Sequence, residues 1–329
     1  MNAATSRNLT IAFFALLAFG AVSPMLFGGA RFPQWLEVIL GGLMSGVLYS
    51  LVALGLVLIF KASGVFNFAQ GAMVLFAALS LVRLMEKMPF VLALAVTIAI
   101  MVALAWLIER LVLRPLVNQE PIVLFMATLG VAYFIDGFGQ TVWGSDIYTL
   151  NVGMPKEPRI LFESTFEGGI LVSMEDVIAA ILAGIMVAAL ALFFQKTGTG
   201  RALRAVADDH QAAQSIGIPL NRIWVIVWSV AGLVALVAGI IWGSKLGVQF
   251  SLQLVALKAL PVVILGGFTS IPGAIIGGLI IGLGEKVSEV YLGPMLGGGI
   301  ENWFAYVLAL IFLLFRPEGL FGERHIDRV

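Results

Sequence analysis

The sequence predicts an all-α, polytopic membrane protein with about 8–10 transmembrane helices, some of them interrupted or re-entrant. Composition decides this class, because 60% of the 329 residues are hydrophobic and 12% are charged. Soluble domains contain about 45–50% apolar and about 25% charged residues. Apolar runs that approach the roughly 20 residues needed for one membrane crossing recur along the whole chain. Two matching segments also indicate an internal parallel repeat.

Ten apolar segments are candidates for membrane spans. The first follows Arg7 and resembles a signal peptide, but its cleavage pattern is poor, so we interpret it as a retained span. The eighth and ninth are rich in glycine, and either could be a half-helix or a re-entrant segment. The predicted spans are 9–27, 36–60, 65–82, 90–113, 121–143, 175–195, 223–243, 253–268, 272–290 and 301–316.

The distribution of Lys and Arg predicts the orientation. Basic residues collect in 196–222, at Arg110 and Arg114, and in the segment 316–328 that closes the chain. The longest polar segment, 144–174, carries mainly acidic residues. With ten crossings, both termini are predicted to be cytoplasmic and 144–174 to be an extracytoplasmic loop.

The repeat rests on FNFAQGAMV (66–74), which aligns without a gap with FTSIPGAII (268–276). Both copies run outward in the predicted topology, so the repeat is parallel, and interrupted helices at matching positions are typical of transport pathways. The predicted organisation is a single transmembrane domain over 1–329, with half-repeats over 36–143 and 175–316 that are separated by the 144–174 loop.

Two amide side chains, Asn67 and Gln70, interrupt the apolar segment GVFNFAQGAMVLF (64–76). Unwound backbone is tolerated in a membrane only where protein or a water-filled cavity covers it. We expect a translocation path beside this break, lined by Phe66, Asn67, Phe68 and Gln70. The alternative is that the amides only cap the helix and join it to a neighbour. The glycines predicted to permit helix breaks in the two matching segments are Gly64, Gly71, Gly267 and Gly273.

Asp136 and Glu285 are the ionisable residues deepest in apolar segments. A charge at that depth costs about 2.5–3.5 kcal/mol on insertion scales, so it faces the protein interior, pairs with another group or marks a pathway. Lys245, Lys258 and Lys286 are candidate partners. For Asp136 a place on the translocation path and a structural ion pair both stay open, and for Glu285 we expect a structural role.

The polar segment TGTGRALRAVADDHQAAQSIGIPLNR (197–222) predicts a short helix that begins at an N-cap, Thr199, and stops at Gly217 and Pro219. A small-residue face with mixed charges is typical of a helix that docks into a groove of a soluble partner. An ordinary solvated connector is the alternative. The residues predicted to form the docking surface of this 199–217 helix are Arg201, Arg204, Asp208, Asp209, Gln211, Ala212, Ala213 and Gly217.

These residues resemble a known family. QAAQSIG (211–217) is similar to the EAA-x3-G coupling-loop signature of bacterial ABC importer permeases, with Gln211 in place of glutamate. YSLVALGLVLIFKASGVFNFAQGAM (49–73) resembles the H-type permease subunit of the branched-chain amino acid (Liv) importers, in which a histidine usually stands at the position of Gln70. ATLGVAYFIDGFGQTVWG (127–144) resembles the same group. The resemblance covers about 36–316, in the same order as in the family.

The resemblance implies a permease subunit in a bacterial inner membrane, with 199–217 as its ATPase-coupling helix. It further implies a second related permease, two cytoplasmic ATPase subunits and a periplasmic solute-binding protein as partners. ATP would be bound by the ATPase subunits, so the permease itself is expected to need no cofactor. The expected solute is small and neutral or zwitterionic: a branched-chain amino acid, or urea, an amide or a small carboxylate.

Several other functions are excluded by what the sequence lacks. It contains no Walker A loop, no H-E-x-x-H or G-x-S-x-G motif and no cysteine, so an enzyme is not expected. We find no cluster with metal-ligand spacing, and zero net charge argues against nucleic-acid binding. The alternative function is an ion-coupled secondary transporter that acts alone, with Asp136 as its coupling carboxylate. Such a carrier would not need the docking helix.

Overall fold

Helices account for nearly all of the regular structure in the computed structural model, which describes residues 3–26, 31–116, 119–166, 168–208 and 210–322. A π-helical turn at Glu109–Leu113 continues α4, and a short 3-10 helix at Phe250–Leu254 precedes α10. The α-helices are α1 Ala3–Leu26, α2 Phe32–Ser63, α3 Gln70–Met85, α4 Phe90–Ile108, α5 Pro121–Trp143, α6 Met174–Lys196, α7 Gly198–Asp208, α8 His210–Ser215, α9 Leu220–Leu246, α10 Val255–Gly266, α11 Ile271–Leu296 and α12 Phe304–Leu313.

Within these described ranges, seven helical segments are long and apolar enough to cross a membrane, namely those of α1, α2, α4, α5, α6, α9 and α11. The helices α3, α10 and α12 are apolar but shorter. All ten predicted spans correspond to helices, and the predicted all-α, polytopic class is confirmed. The short α10 fits the expectation of a half-helix in this glycine-rich region, whereas α11 runs unbroken for 26 residues.

The chain forms two compact units, and each draws segments from both predicted half-repeats. The first consists of Met1–Ala53, Met154–Gly184 and Lys258–Val329, and the second of Leu54–Gly153 and Ile185–Leu257. In the first unit α2 and α11 approach each other closely through glycines. A Cβ on Gly46 would meet the backbone of Leu279, and a Cβ on Gly282 would meet the backbone of Gly46. This packing explains why the glycines of α11 do not break it.

The second unit is built around α3, in which nearly every side chain is buried. Helices α4, α5 and α9 pack against it. With 16 residues, α3 is about 24 Å long, shorter than the hydrocarbon core of about 30 Å. A short helix is tolerated here because other helices of the unit surround it.

The predicted loop 144–174 contains a feature that the sequence analysis missed. Two antiparallel strands, β1 (Pro158–Leu161) and β2 (Ile170–Ser173), pair so that Arg159 lies opposite Val172. The backbone N–H of Leu171 donates to the Glu37 carboxylate at the start of α2. This bond attaches the hairpin to α2 within the first unit.

Candidate translocation and coupling site

The chain leaves helical structure between α2 and α3. Helix α2 ends at Ser63, and Gly64 follows with a φ of +68°, a backbone conformation that only glycine adopts without strain. The matching segment has the same local plan, because α10 ends at Gly266 and Gly267 has a φ of +103°. Gly64 and Gly267, two of the four predicted break glycines, therefore lie directly after a helix end.

The other two predicted break glycines allow close packing. A Cβ on Gly71 would collide with the carbonyl oxygen of Gln253. A Cβ on Gly273 would collide with the carbonyl oxygen of Gly266 in the same way, and Ser270 caps the helix that begins there by accepting from the N–H of Gly273 at 3.1 Å. Each of these glycines lets the start of a helix approach neighbouring backbone.

The two amides at the break are buried, with 1% of Asn67 and 0% of Gln70 exposed. Asn67 Oδ1 accepts from the N–H of Ala69 at 3.0 Å, and its Nδ2 donates to Gln70 Oε1 at 3.2 Å. Gln70 Nε2 donates to the carbonyl oxygen of Ala231 on α9 at 3.3 Å. Gln70 thus makes the contact that a joining role requires, whereas the N-cap of α3 is Ala69, which has no side-chain cap. A role in lining the path stays a prediction.

One neighbour of the amide pair could not be recognised from the sequence. A Cβ on Gly55 of α2 would lie 2.9 Å from Gln70 Nε2, so this glycine makes room for the amide. In the sequence Gly55 is one of many glycines in an apolar segment, and nothing local distinguishes it.

The aromatic residues of the break pack against each other and against α5. The ring centroids of Phe66 and Phe68 are 4.6 Å apart, and that of Phe68 lies 4.8 Å from that of Phe125 in an edge-to-face arrangement. The hydroxyl of Thr128 donates to the carbonyl oxygen of Phe66 at 3.2 Å. Helix α5 is thereby attached to the break through Phe125 and Thr128, which the sequence analysis did not select.

Asp136 lies on α5, about two turns beyond Thr128. Its Oδ1 atom is buried and has no hydrogen-bond partner among the described residues. The described contacts do not join it to Asn67 or Gln70, so the structure brings the predicted aromatic and amide residues together but leaves Asp136 separate.

Glu285 has an ion-pair partner of the kind expected for a structural role. Its carboxylate is buried in α11 at 4% exposure, and Oε1 lies 3.6 Å from Lys258 Nζ on α10. The hydroxyl of Tyr49 on α2 also hydrogen-bonds this carboxylate. Lys258 donates in addition to the carbonyl oxygen of Glu301 at 2.6 Å. Three helices of the first unit meet at this carboxylate.

The predicted 199–217 helix corresponds to α7 and α8, which end and begin on either side of position 209, a residue outside the described ranges. The predicted N-cap, Thr199, is wrong. Thr197 holds the start of α7, because its Oγ1 accepts from the N–H of Gly200 at 3.1 Å. A Cβ on Gly200 would collide with the backbone of Phe194 at the end of α6, so the tight turn between α6 and α7 requires a glycine at this position.

The predicted stop at Gly217 is confirmed. Gly217 has a φ of +85°. The N–H of Ile218 donates to Ala213 at 3.0 Å, and that of Gly217 donates to Gln214 at 3.0 Å. This pair of bonds is a Schellman motif, which satisfies the last carbonyl groups of a helix and requires the left-handed conformation at the residue after it.

The α7–α8 pair presents a mixed surface. Arg204 Nη1 donates to the carbonyl oxygen of Phe194 at 2.6 Å, while Leu203, Val206 and Ala213 are buried. Of the predicted docking residues, Arg201, Arg204, Asp208, Ala212 and Gly217 are exposed. Asp209 and the side chain of Gln211 lie outside the described part. Ile216, which the sequence analysis did not select for docking, is 75% exposed beside Gly217.

Comparison with known proteins decides the family. Residues 38–316 match the model of a family described as "Branched-chain amino acid transport system / permease component". The chain belongs to this family. The matched range takes in the α2–α3 break, α5, the α7–α8 pair and the α10–α11 glycines, so the membership recognised from the residues is confirmed.

Curated relatives extend the likeness to nearly the whole chain. The chain is 27% identical to the high-affinity branched-chain amino acid transport system permease protein BraD of Pseudomonas aeruginosa, over 90% of this chain and 98% of the relative. It is 28% identical to LivH of Escherichia coli over 91% and 99%. A probable LivH of Methanocaldococcus jannaschii is 30% identical over 86% and 91%.

Proposed function

We propose that this chain is the permease subunit of an ATP-binding-cassette importer and forms the translocation path for a small neutral or zwitterionic solute. A branched-chain amino acid is the first candidate, because the relatives are named for transport systems of that solute class. Urea, short amides and small carboxylates are the other candidates. A periplasmic binding protein delivers the solute, and the chain lies in the inner membrane with both termini in the cytoplasm.

The proposal rests on which structural elements lie together in the second compact unit. It contains the α2–α3 break, α5 with Asp136, and the α7–α8 pair. A path element and a coupling element within one packed unit are what a permease driven from outside needs. The energy of ATP hydrolysis has to reach the path through rigid contacts.

A line of contacts connects the two elements. Helix α8 ends in the Schellman motif at Gly217, and α9 begins three residues later at Leu220. Ala231, on α9, accepts the hydrogen bond of Gln70 at the start of α3. A displacement of α8 therefore acts on α9, and through Ala231 on the break. The side chains of Phe66 and Phe68, together with α5, border the path at this point.

Asp136 is the candidate polar group of the path. An unpaired carboxylate oxygen is costly on a membrane helix unless it faces a polar cavity or a partner group. In a zwitterionic solute, the ammonium group is the part that would interact with this carboxylate.

The partners follow from the same proposal. Two cytoplasmic ATPase subunits bind ATP and dock at α7–α8, where the exposed Ile216 supplies an apolar contact among polar residues. A second related permease completes the membrane assembly. The chain itself has no catalytic role and no cofactor.

Replacing Ile216 with aspartate tests the coupling role. The side chain is 75% exposed, so the folded state should tolerate the change, while a charge in an apolar contact should weaken docking. We expect loss of ATPase co-purification and of uptake, with normal amounts of inserted protein. Ile147→Asp is the matched control, since Ile147 is 70% exposed in the predicted extracytoplasmic loop. Normal ATPase binding by Ile216→Asp would show that the ATPase subunits do not dock at this surface.

The alternative, an ion-coupled transporter that acts alone, is favoured by one observation, the unpartnered Oδ1 of Asp136. Uptake into vesicles that contain only this chain, driven by an imposed proton or sodium gradient, distinguishes the two. We expect none. Gradient-driven uptake that Asp136→Asn abolishes would establish the alternative.

A further inference from the structure

An apolar cavity lies in the first unit along α1 and α11, and it opens to the surface of that unit. Its volume is about 420 Å³, within the range of about 300–1,000 Å³ that is common for small-molecule sites. Residues between Phe14 and Pro24 form one wall, residues between Ile280 and Leu292 form the other, and Phe304 also borders it. Helix α1 precedes the range that matches the family, so one wall of the cavity lies outside the matched region.

Helix α1 is attached to two neighbouring helices beside the cavity. The ring of Phe13 lies 5.1 Å from that of Phe312 on α12. Trp35 Nε1, on α2, donates to the carbonyl oxygen of Ala21 at 2.7 Å. Helices α1 and α11 also contact each other directly, while Leu16 in the cavity wall is 70% exposed. The space is therefore a cleft beside α1 that opens to the surroundings of the helix.

The length of the cavity fits one leaflet. The wall residues span 14–24 on α1 and 280–292 on α11, which corresponds to about 15–18 Å of helix. Half of the hydrocarbon core measures about 15 Å. The polar side chains of the lining are Ser23, Ser288 and Tyr291, all in the carboxyl-terminal parts of these helices. Trp35 lies at the same end, and tryptophan is typical of the membrane interface.

These features indicate what occupies the cavity. Water finds few polar partners in such a lining, and apolar cavities stay dry. A third helix is about 10 Å across with its side chains, too wide for a cleft between two helices that also contact each other. An empty cavity would forfeit the van der Waals contacts of its walls. A single hydrocarbon chain fills the space and is the abundant component around these helices.

We propose that this cavity binds one acyl chain of a membrane phospholipid. The glycerol ester region then lies beside Ser23, Ser288 and Tyr291, and the chain extends along α1 towards Phe14. The bound lipid packs α1 onto the first unit, and its binding is independent of the transport function proposed above.

Native mass spectrometry of the purified chain tests this proposal. Gly20 borders the cavity, and no atom lies within 4 Å of the position that its Cβ would take. Gly20→Phe therefore fills the cavity without a backbone collision. After detergent exchange we expect about one phospholipid per wild-type chain. We expect roughly tenfold lower occupancy in Gly20→Phe, because displacement of about two buried methylene groups already corresponds to that factor.

Ala15→Phe is the matched control. Ala15 is exposed on the same helix and does not line the cavity, so this variant should keep the lipid. Gly20→Leu replaces Gly20→Phe if the larger residue prevents insertion. A wild-type chain without phospholipid, or a Gly20 variant that keeps it, would overturn the proposal.

A photo-reactive residue at Leu17, in the cavity wall, identifies the occupant in an otherwise unchanged chain. In detergent-exchanged protein we expect a phospholipid adduct from position 17 and only detergent adducts from Ile11, which is 60% exposed and outside the lining. An adduct with another protein chain at position 17 would mean that a partner side chain fills the cavity, and would contradict the lipid.

Discussion

Gln70 joins the first turn of α3 to α9, because its Nε2 donates to the carbonyl oxygen of Ala231 at 3.3 Å. The same side chain accepts from Asn67 Nδ2 at 3.2 Å. One buried amide thus bonds both to the helix break and to the helix that follows α8. In the proposed mechanism this contact transmits motion from the coupling segment to the path.

Gln70→Met should destabilise the protein. The substitution keeps the length of the side chain but leaves the buried amide of Asn67 with only the weak Met73 sulfur acceptor at 3.8 Å, and a poorly satisfied buried amide costs about 1–3 kcal/mol. Thermal unfolding in detergent should show a lower midpoint. Gln249→Met is the control, since its amide bonds Leu246 at 3.4 Å in an exposed position, and its midpoint should hardly change. Equal unfolding midpoints for the two variants would contradict the conclusion that Gln70 stabilises the protein by joining α3 to α9.

Gly217→Val should loosen the end of α8. Valine in a left-handed conformation costs about 1–2 kcal/mol, whereas asparagine adopts it more readily. Limited proteolysis between α8 and α9 should therefore be faster in Gly217→Val than in Gly217→Asn. If both variants are cleaved at the wild-type rate, the Schellman motif does not hold this segment.

Lys258→Met should be among the more damaging substitutions in the first unit. It leaves the buried Glu285 carboxylate without its ion-pair partner, and breaking a buried pair costs about 3–5 kcal/mol. The double variant Lys258→Met with Glu285→Met should recover much of the stability, which thermal unfolding measures.

The matched control for that pair is Arg83→Met. Arg83 and Glu86 form an ion pair with side chains 33% and 45% exposed, and such surface pairs contribute about 0–1 kcal/mol. A double variant no more stable than Lys258→Met would mean that Glu285 is held by Tyr49 rather than by the lysine.

Asp136→Asn should slow uptake without loss of stability. The amide keeps the shape of the side chain, and the buried Oδ1 makes no described hydrogen bond that could be lost. Initial uptake rates, normalised to inserted protein, provide the measurement. Asp146→Asn, in the predicted extracytoplasmic loop, is the control. Wild-type uptake by Asp136→Asn would exclude this residue from the path.

The sequence could predict those parts of the fold that depend on local chemistry. Apolar length revealed the spans, and Gly217 before Pro219 indicated the stop of α8. The continuity of α11 could not be read in the same way. Its glycines are accommodated by Gly46 and its neighbours on α2, a partner more than 200 positions away. Whether a glycine breaks a membrane helix or lets it pack depends on that partner.

In the candidate site, too, local chemistry revealed some features, whereas others depend on distant contacts. Asn67 and Gln70 were found because polar side chains are conspicuous in an apolar segment. The acceptor of the Gln70 amide, the backbone carbonyl of Ala231, lies 161 positions along the chain and has no side-chain signature. The start of α7 was misplaced because TGTG (197–200) offers two threonines as caps, and it is Thr197 that accepts from the N–H of Gly200.

Purification of the tagged chain from its native membrane, with the bound proteins identified by mass, tests the central claim most directly. We predict two ATPase chains and a second permease in the wild-type preparation, and their loss from the Ile216→Asp preparation. Recovery of this chain alone, in a detergent that keeps an ABC importer from the same membrane intact, would contradict the claim and favour a carrier that depends on Asp136.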